Sequence, residues 1–165
     1  MLEDFVIQST KVRSVNELFD VYKSAMAGLG FDRVIFSLMT DHLDIKRVAG
    51  HGIISNYPDD WMKYYIGNNY ANTDPVRGRM FAAPGPFLWE ECMDPHRQTS
   101  PQIKLMNESR EAGLHQGIGI PLRGARGAVA GIGAASSNKD IDLDPVTVAK
   151  ANMLSAQFYA VFTNL

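Results

Sequence analysis

Four residues in the middle of the chain combine polar groups with flat apolar surfaces: Trp61, Tyr65, Asp74 and Trp89. Indole N–H and phenol O–H groups donate hydrogen bonds, and an ionised carboxylate accepts them. A small molecule with carbonyl oxygens and one amide N–H would satisfy all of these groups, while a second indole would cover a flat ring. Because ligand pockets are mostly apolar with a few placed polar groups, this set describes a small-molecule site.

The same residues allow a second interpretation, in which they only build the fold. Trp61 and Tyr65 are four positions apart and share one face of a helix, with Tyr57 one turn earlier. Asp74 precedes Pro75, which biases the aspartate towards an extended conformation and suits it to cap a helix. The local pattern alone favours this structural interpretation, with buried aromatic rings and a capping carboxylate.

Residues suited to covalent or metal chemistry are scattered. Cys92 and His96 are four apart, but they lie in a proline-rich loop without a third, orienting group, so catalysis there is not predicted. No two histidines are spaced i, i+4, which disfavours a metal site. The glycines of GIGIPLRG at 117–124 lack the lysine and the strand-to-helix context of a phosphate loop, and indicate close packing instead. We therefore predict neither an enzyme nor a cofactor.

The elements that must position these residues are readable from periodicity and capping signals. Ser14 and Glu17 form a capping box at the start of a helix, Pro58 opens a second, and Ser100 caps a third. A stripe of apolar residues marks a last helix from Pro145: Val146, Ala149, Met153, Phe158, Val161 and Phe162. The predicted helices are 15–28, 58–68, 100–113 and a long one from 145; the predicted strands are 33–39, 45–50, 87–89, 117–122 and 128–136.

Strands joined in sequence by hairpins indicate an antiparallel sheet, and helices before, between and after them indicate layers on both of its faces. We therefore predict that residues 1–165 form one α/β/α sandwich domain.

Composition narrows the class of protein further. The chain has 165 residues, a net charge of −2 and an isoelectric point near 6.1. This composition gives no sign of the basic surface that binds nucleic acid. No apolar stretch suits a membrane span or a signal peptide. The lone Cys92 fits a reducing compartment, and we expect a cytoplasmic protein.

Three stretches resemble the autoinducer-binding domain of LuxR-type quorum-sensing transcription factors: YPDDWMKYYIGNNYANTDPV, PGPFLWEE and GLHQGIGIPLRGARGAVAGI. The resemblance covers nearly the whole chain in the right order. It implies an α/β/α sandwich around a five-stranded antiparallel sheet. It also implies an N-acyl-L-homoserine lactone ligand and a homodimer. DNA binding would occur only through a C-terminal helix-turn-helix domain, which is absent from this chain.

The resemblance also implies roles for single residues. Trp61 would donate to the lactone carbonyl, Asp74 would accept the ligand amide N–H, Tyr65 would donate to the acyl carbonyl, and Trp89 would pack on the lactone ring. Further pocket positions carried over from the family are Tyr57, Ile35, Ser37, Met39, Ala71, Val76 and Leu114.

One position departs from the family pattern. Gly133 stands where many members have a serine or threonine that bonds the acyl carbonyl. We expect this loss to open space and to make the pocket tolerant of longer or differently substituted chains. The chain ends at Leu165, which fits an excised ligand-binding segment better than a natural single-domain relative. The rival functions are an interaction module that binds no lactone and, less favoured, a lactone or amide hydrolase using Asp74 as base.

Overall fold

A five-stranded antiparallel sheet runs through the middle of the computed structural model, which describes all residues from Met1 to Leu165. The strands lie in the order β2-β1-β5-β4-β3. Their bounds are β1 Arg33–Leu38, β2 Gly50–Ser55, β3 Phe87–Leu88, β4 Gln116–Arg123 and β5 Val129–Ser136. The helices are α1 Leu2–Ser9, α2 Val15–Ala27, α3 Asp59–Gly67, α4 Pro75–Arg79, α5 Ser100–Glu111 and α6 Pro145–Phe162. The predicted sandwich and five-stranded sheet are confirmed.

Alternation along the strands divides the interior into two clusters, since successive strand residues point to opposite faces. In β1, Val34, Phe36 and Leu38 belong to a core shared with α1, α2 and α6. Ile35 belongs to a second cluster, which includes residues of α3, α4 and α5. We call these two sides the filled face and the cavity face. In β4 and β5 the filled face takes isoleucine and alanine, while Gly117, Gly119, Gly131 and Gly133 alternate with them.

The predicted hairpin partner at 45–50 is wrong. Strand β2 begins only at Gly50, which pairs with Leu38. The intervening residues form a 3₁₀ turn at Leu43–Ile45, followed by Lys46 in the left-handed conformation with φ 56°. Asp41 Oδ1 accepts a hydrogen bond of 2.7 Å from the Ala49 N–H. A side chain thus takes a backbone donor that a longer ladder would need, and pairing starts later.

Helix ends follow the predicted signals with one shift. Ser14 accepts from the Glu17 N–H at 3.1 Å, as predicted. The cap of α5 is Thr99 rather than Ser100, and Thr99 forms a capping box with Gln102. Helices α1 and α4 were not predicted. Both are short, and neither carries an extended apolar periodicity.

The predicted stripe on α6 mixes two faces of the helix. Val146 and Met153 are 62% and 54% exposed, whereas Phe158 and Phe162 are buried against the sheet. The five-residue step from Met153 to Phe158 rotates a helical position by about 140°, which separates the two groups. None of the helices combines the length and the apolar character that a membrane crossing requires.

Candidate functional site

A small cavity of about 60 Å³ lies in the interior on the cavity face of the sheet. Every predicted site residue except Ala71 lines it: Ile35, Ser37, Met39, Tyr57, Trp61, Tyr65, Asp74, Val76, Trp89, Leu114 and Gly133. Ala71 lies in the 3₁₀ turn Tyr70–Asn72 and only packs against the surrounding cluster. The structure therefore brings the other predicted residues together around one cavity.

Seven lining residues were missed: His51, Met80, Arg77, Leu105, Met106, Ser109 and Gly131. Helical spacing was the available signal for α5, where Leu105 and Ser109 are four positions apart on one face. Arg77 follows Asp74 by three positions, within the first turn of α4, so it was bound to lie near that carboxylate. Strand β2 was misplaced in the sequence, which removed the basis for finding His51.

Helix α3 supplies two aromatic residues from one face. The Trp61 and Tyr65 rings meet edge to face, with centroids 5.9 Å apart and an interplanar angle of 65°. Both side chains are buried, at 6% and 4% exposure. The helix begins with Asp59 and Asp60, acids that favour the positive end of the helix dipole. The Trp61 side chain makes no hydrogen bond within the chain, so its indole N–H remains available as a donor.

Asp74 caps a helix, as the structural interpretation predicted, and it also lines the cavity. Its Oδ1 caps α4 by accepting from the Val76 N–H at 2.9 Å and the Arg77 N–H at 3.3 Å. Its Oδ2 accepts from the Tyr65 hydroxyl at 2.7 Å. A carboxylate offers about four acceptor positions, so one remains for another donor. The phenol proton of Tyr65, predicted to be free for an acyl carbonyl, is already engaged.

Burial governs the protonation of these groups. It raises the pKa of the Asp74 carboxyl, against the opposing effect of the hydrogen bonds from Tyr65 and the α4 backbone. Burial and the neighbouring Asp74 charge also raise the pKa values of Tyr57 and Tyr65. Both phenols therefore keep their protons across the physiological range; the Tyr65 proton is donated to Asp74, and the Tyr57 hydroxyl makes no hydrogen bond within the chain.

Trp89 closes the cavity at the β3–β4 side and rests directly on the sheet. A Cβ at Gly117 would lie 2.5 Å from Trp89 Cε2, so only glycine admits the indole at this height. This contact supports the prediction that the β4 glycines permit close packing. The Trp89 Nε1–H is buried without a hydrogen-bond partner. A buried donor without a partner is costly, and this N–H has no acceptor within the chain.

The space expected at Gly133 is not open. A Cβ at this position would lie 2.8 Å from Ile35 Cγ2 and 2.8 Å from the Tyr57 hydroxyl oxygen. Because Gly133 has no side chain, Ile35 and Tyr57 can pack against the sheet there. These two side chains fill the space that a serine or threonine side chain would occupy. The expectation of an open channel is corrected in this respect.

A polar group lies at the β1–β2 side of the cavity. His51 stacks on the Tyr65 ring, with centroids 4.4 Å apart and an interplanar angle of 13°. Arg77 Nη1 lies 3.1 Å from His51 Nδ1 and 3.4 Å from the Met39 sulfur. Ser37 accepts from the Gly52 N–H at 2.8 Å, which fixes its hydroxyl beside the imidazole. The cavity is thus bordered by polar groups at two places.

Cys92 and His96 do not form a catalytic pair. Cys92 is half-buried, and burial raises the pKa of its thiol to about 11. His96 is exposed, and no hydrogen bond joins the two side chains. The structure also gathers no group of three or more His, Cys, Asp or Glu side chains that could hold a metal ion.

Comparison with known proteins identifies the class. The sequence model of the family "Autoinducer binding domain" matches residues 14–161, so the chain belongs to that family. Its homologues are transcriptional regulators of the LuxR type rather than enzymes, as predicted. One is the quorum sensing-dependent transcriptional regulator RpaR of Rhodopseudomonas palustris, 26% identical over 144 residues. That match covers 87% of this chain and 56% of the relative, so the chain spans about half of its length.

Solved structures share the fold. The LuxR-family factor CepR2 of Burkholderia cenocepacia, described as N-acylhomoserine lactone dependent, aligns with a TM-score of 0.78 at 18% identity. The alignment covers 99% of this chain and 94% of that one. SdiA of Escherichia coli aligns with a TM-score of 0.81 at 16% identity, covering 99% and 67%. A further SdiA structure, in complex with octanoyl-rac-glycerol, aligns with a TM-score of 0.80.

Proposed function

We propose that this domain senses an N-acyl-L-homoserine lactone, bound in the cavity around Asp74. The observation that carries the proposal is a buried carboxylate with one acceptor position left, in a cavity that is also lined by two indoles whose N–H groups have no partner within the chain. An acyl-homoserine lactone offers the complementary set, with one amide N–H and two or more carbonyl oxygens. The related fold of CepR2, which is N-acylhomoserine lactone dependent, supports the same ligand class.

The contacts follow from the groups that remain free. Asp74 would accept the ligand amide N–H, and Trp61 would donate to the lactone carbonyl. Trp89 would cover the lactone ring, and its buried N–H is a second donor for a ligand oxygen. Tyr65 would donate to the acyl carbonyl only by exchanging its bond to Asp74 for one to the ligand. We therefore expect its hydroxyl to move on binding.

The acyl chain needs more room than the present cavity provides. A volume of about 60 Å³ holds a few water molecules, far below the roughly 300–1,000 Å³ of ligand pockets. Met39, Met80 and Met106 line the wall, and methionine side chains adapt their rotamers readily. A bound chain would thus take the place of side-chain packing and become part of the core.

This packing role connects ligand binding with regulation. A ligand that binds only the folded state stabilises it by about 2.7 kcal/mol at a hundredfold excess over its Kd. We propose that this gain governs folding, and through it the formation of a homodimer in the cytoplasm. The exposed Val146 and Met153 on α6, beside Met1, are a candidate surface for that dimer. DNA binding would belong to a helix-turn-helix domain outside this chain.

The experiment that tests the proposal is expression and melting of the domain with a panel of acyl-homoserine lactones and octanoyl-rac-glycerol. Mass spectrometry then identifies what the purified protein carries. We expect at least one lactone to raise the melting temperature and to be recovered intact. If no lactone raises it, the domain is a lactone-independent module or binds another acyl ligand, such as the glycerol ester. Catalytic amounts of ring-opened or deacylated product would instead establish the hydrolase.

A further inference from the structure

Arg77 brings a positive charge to a wall that is otherwise mostly apolar. Its backbone N–H caps onto Asp74 Oδ1 at 3.3 Å, and its side chain extends along the cavity towards β1 and β2. The guanidinium hydrogen-bonds only to the Met39 sulfur and to His51 Nδ1. A thioether is a weak acceptor, and a neutral imidazole carries no charge. The guanidinium is therefore poorly matched by its own chain.

The contact with His51 fixes the tautomer of that histidine. A guanidinium has donors and no acceptor, so Nδ1 must be the acceptor in the 3.1 Å contact with Arg77 Nη1. The imidazole is then neutral with its proton on Nε2. Both hydrogens of Arg77 Nη1 are used by His51 and Met39, whereas Nε and Nη2 make no hydrogen bond. Three strong donors remain on one side chain that lines the cavity.

Two neighbouring arginines, unlike Arg77, have charged or carbonyl partners within the chain. Arg79, also on α4, pairs with Glu91 at 3.5 Å and lies over the Phe87 ring at 5.2 Å. Arg123 donates to the backbone carbonyls of Met80, Phe81 and Ala83. Arg77 forms no ion pair, although Asp74 is close enough for the two charges to influence each other. Arg77 is half-buried, and its Nε and Nη2 donors have no partner within the chain, so they are free to bind an acceptor from outside it.

We propose that Arg77, positioned by His51, forms a second polar subsite that selects ligands with an oxygen acceptor on the acyl chain near the amide. The proposal rests on the lactone function proposed above. Position follows from connectivity: His51 stacks on Tyr65, and the Tyr65 hydroxyl bonds Asp74, the expected amide partner. An acyl chain that leaves Asp74 along this wall reaches the guanidinium within its first few carbons. An oxo or hydroxyl group there would accept charge-assisted hydrogen bonds.

The test compares N-octanoyl- with N-(3-oxooctanoyl)-L-homoserine lactone by calorimetric titration. We expect the wild-type domain to bind the 3-oxo lactone about tenfold more tightly, the scale of one hydrogen bond to a charged group. Arg77→Met keeps the length and the apolar contact with Met39 but removes the donors. It should bring the two affinities together while octanoyl-lactone binding is retained. Arg79→Met, on the same helix but away from the cavity, should keep the wild-type preference.

Each outcome has a distinct meaning. Equal wild-type affinities, or a preference that survives Arg77→Met, reject the subsite and leave the lactone function standing. Binding of neither lactone to the wild-type domain rejects the lactone function, and the subsite with it. If Arg77→Met fails to fold, Arg77→Gln keeps a polar contact to His51 without the charge. Its preference for the 3-oxo lactone should fall below that of the wild type, and an unchanged preference overturns the proposal.

Discussion

The two faces of the sheet are built from the same strands but differ in packing and in hydrogen bonding. On the filled face, Phe36 packs edge to face on Phe158 at 5.0 Å, and Tyr22 bonds the buried Ser155 at 2.7 Å. No buried side-chain nitrogen or oxygen on that face lacks a hydrogen-bond partner. On the cavity face, glycines of β4 and β5 stand where the filled face has isoleucine and alanine, and methionines and polar-tipped aromatics line the cavity.

The difference shows how one small domain separates stability from binding. Close packing with satisfied hydrogen bonds fixes a single structure, which is what the filled face provides. A binding face needs hydrogen-bond donors without partners in the chain and side chains that can rearrange around a ligand. The Trp89 N–H has no partner, and the Arg77 guanidinium keeps donors without partners. Met80 and Met106 have flexible side chains that can change rotamer. Strand alternation allows both properties within one sheet because neighbouring residues never share a face.

Truncation on each face gives the largest expected contrast. Phe158→Ala should lower the free energy of unfolding by about 3–5 kcal/mol, with or without ligand, because Phe158 is fully buried among aromatic rings. Met80→Ala on the cavity face should cost about 2 kcal/mol, and a longer acyl lactone should recover part of that loss. Urea unfolding with and without lactone measures both. Equal ligand rescue of the two variants would abolish the distinction between the faces.

Gly133→Ser sharpens the comparison at the floor of the cavity. The new side chain would meet Ile35 and the Tyr57 hydroxyl, and overpacking of this kind costs about 1–3 kcal/mol. The displaced Tyr57 ring would enter the cavity, so we also expect a shift in preference towards shorter or unsubstituted chains. A series of lactones from butanoyl to dodecanoyl in thermal melts checks both effects. An unchanged order of preference would reject the role assigned to Gly133.

The smallest effect concerns pH and His51. Burial, and then the Arg77 charge, lower the pKa of His51 from 6.5 to about 4. The folded domain therefore holds this imidazole neutral while the unfolded chain takes up a proton. Its contribution to stability is complete above pH 6.5 and is lost as the pH falls towards 4. His51→Phe keeps a ring on Tyr65 and should lose less stability than the wild type between these values. Parallel curves would contradict the assignment.

That difference between variants isolates His51 from Asp74. Burial raises the pKa of Asp74, so its contribution changes in the opposite direction, with stability lost as the pH rises through its folded pKa. Both variants retain Asp74, and its effect is expected to cancel in the comparison. Melting temperatures at four or five pH values between 4 and 7 would provide the measurement.

Much of this organisation was predictable from local signals. Ser14 marked the start of α2, and residues 117–122 were predicted as a strand whose glycines permit close packing. The Trp61–Tyr65 spacing placed both rings on one side of α3. These features depend on neighbours within a few residues, which is why the sequence alone identified them.

Features that depend on distant residues were not predictable. The space beside Gly133 is filled by Tyr57, a residue that is remote in sequence and approaches the glycine only in the folded chain. The engagement of the Tyr65 proton depends on where α4 begins, and α4 is a short helix that carries no periodic signal. The resemblance to a known family supplied the ligand class, which no periodicity or spacing could have named.

Titration of N-octanoyl- and N-(3-oxooctanoyl)-L-homoserine lactone into the wild type and three variants tests the central claim most directly. Asp74→Ala removes the amide acceptor and should weaken binding of whichever lactone the wild type binds by at least about tenfold. Asp144→Ala removes a comparable helix cap, the acceptor for the Thr147 N–H at 2.8 Å, far from the cavity. This variant and Cys92→Ala should bind as the wild type does. Wild-type affinity in a folded Asp74→Ala domain would contradict a binding site built around this carboxylate.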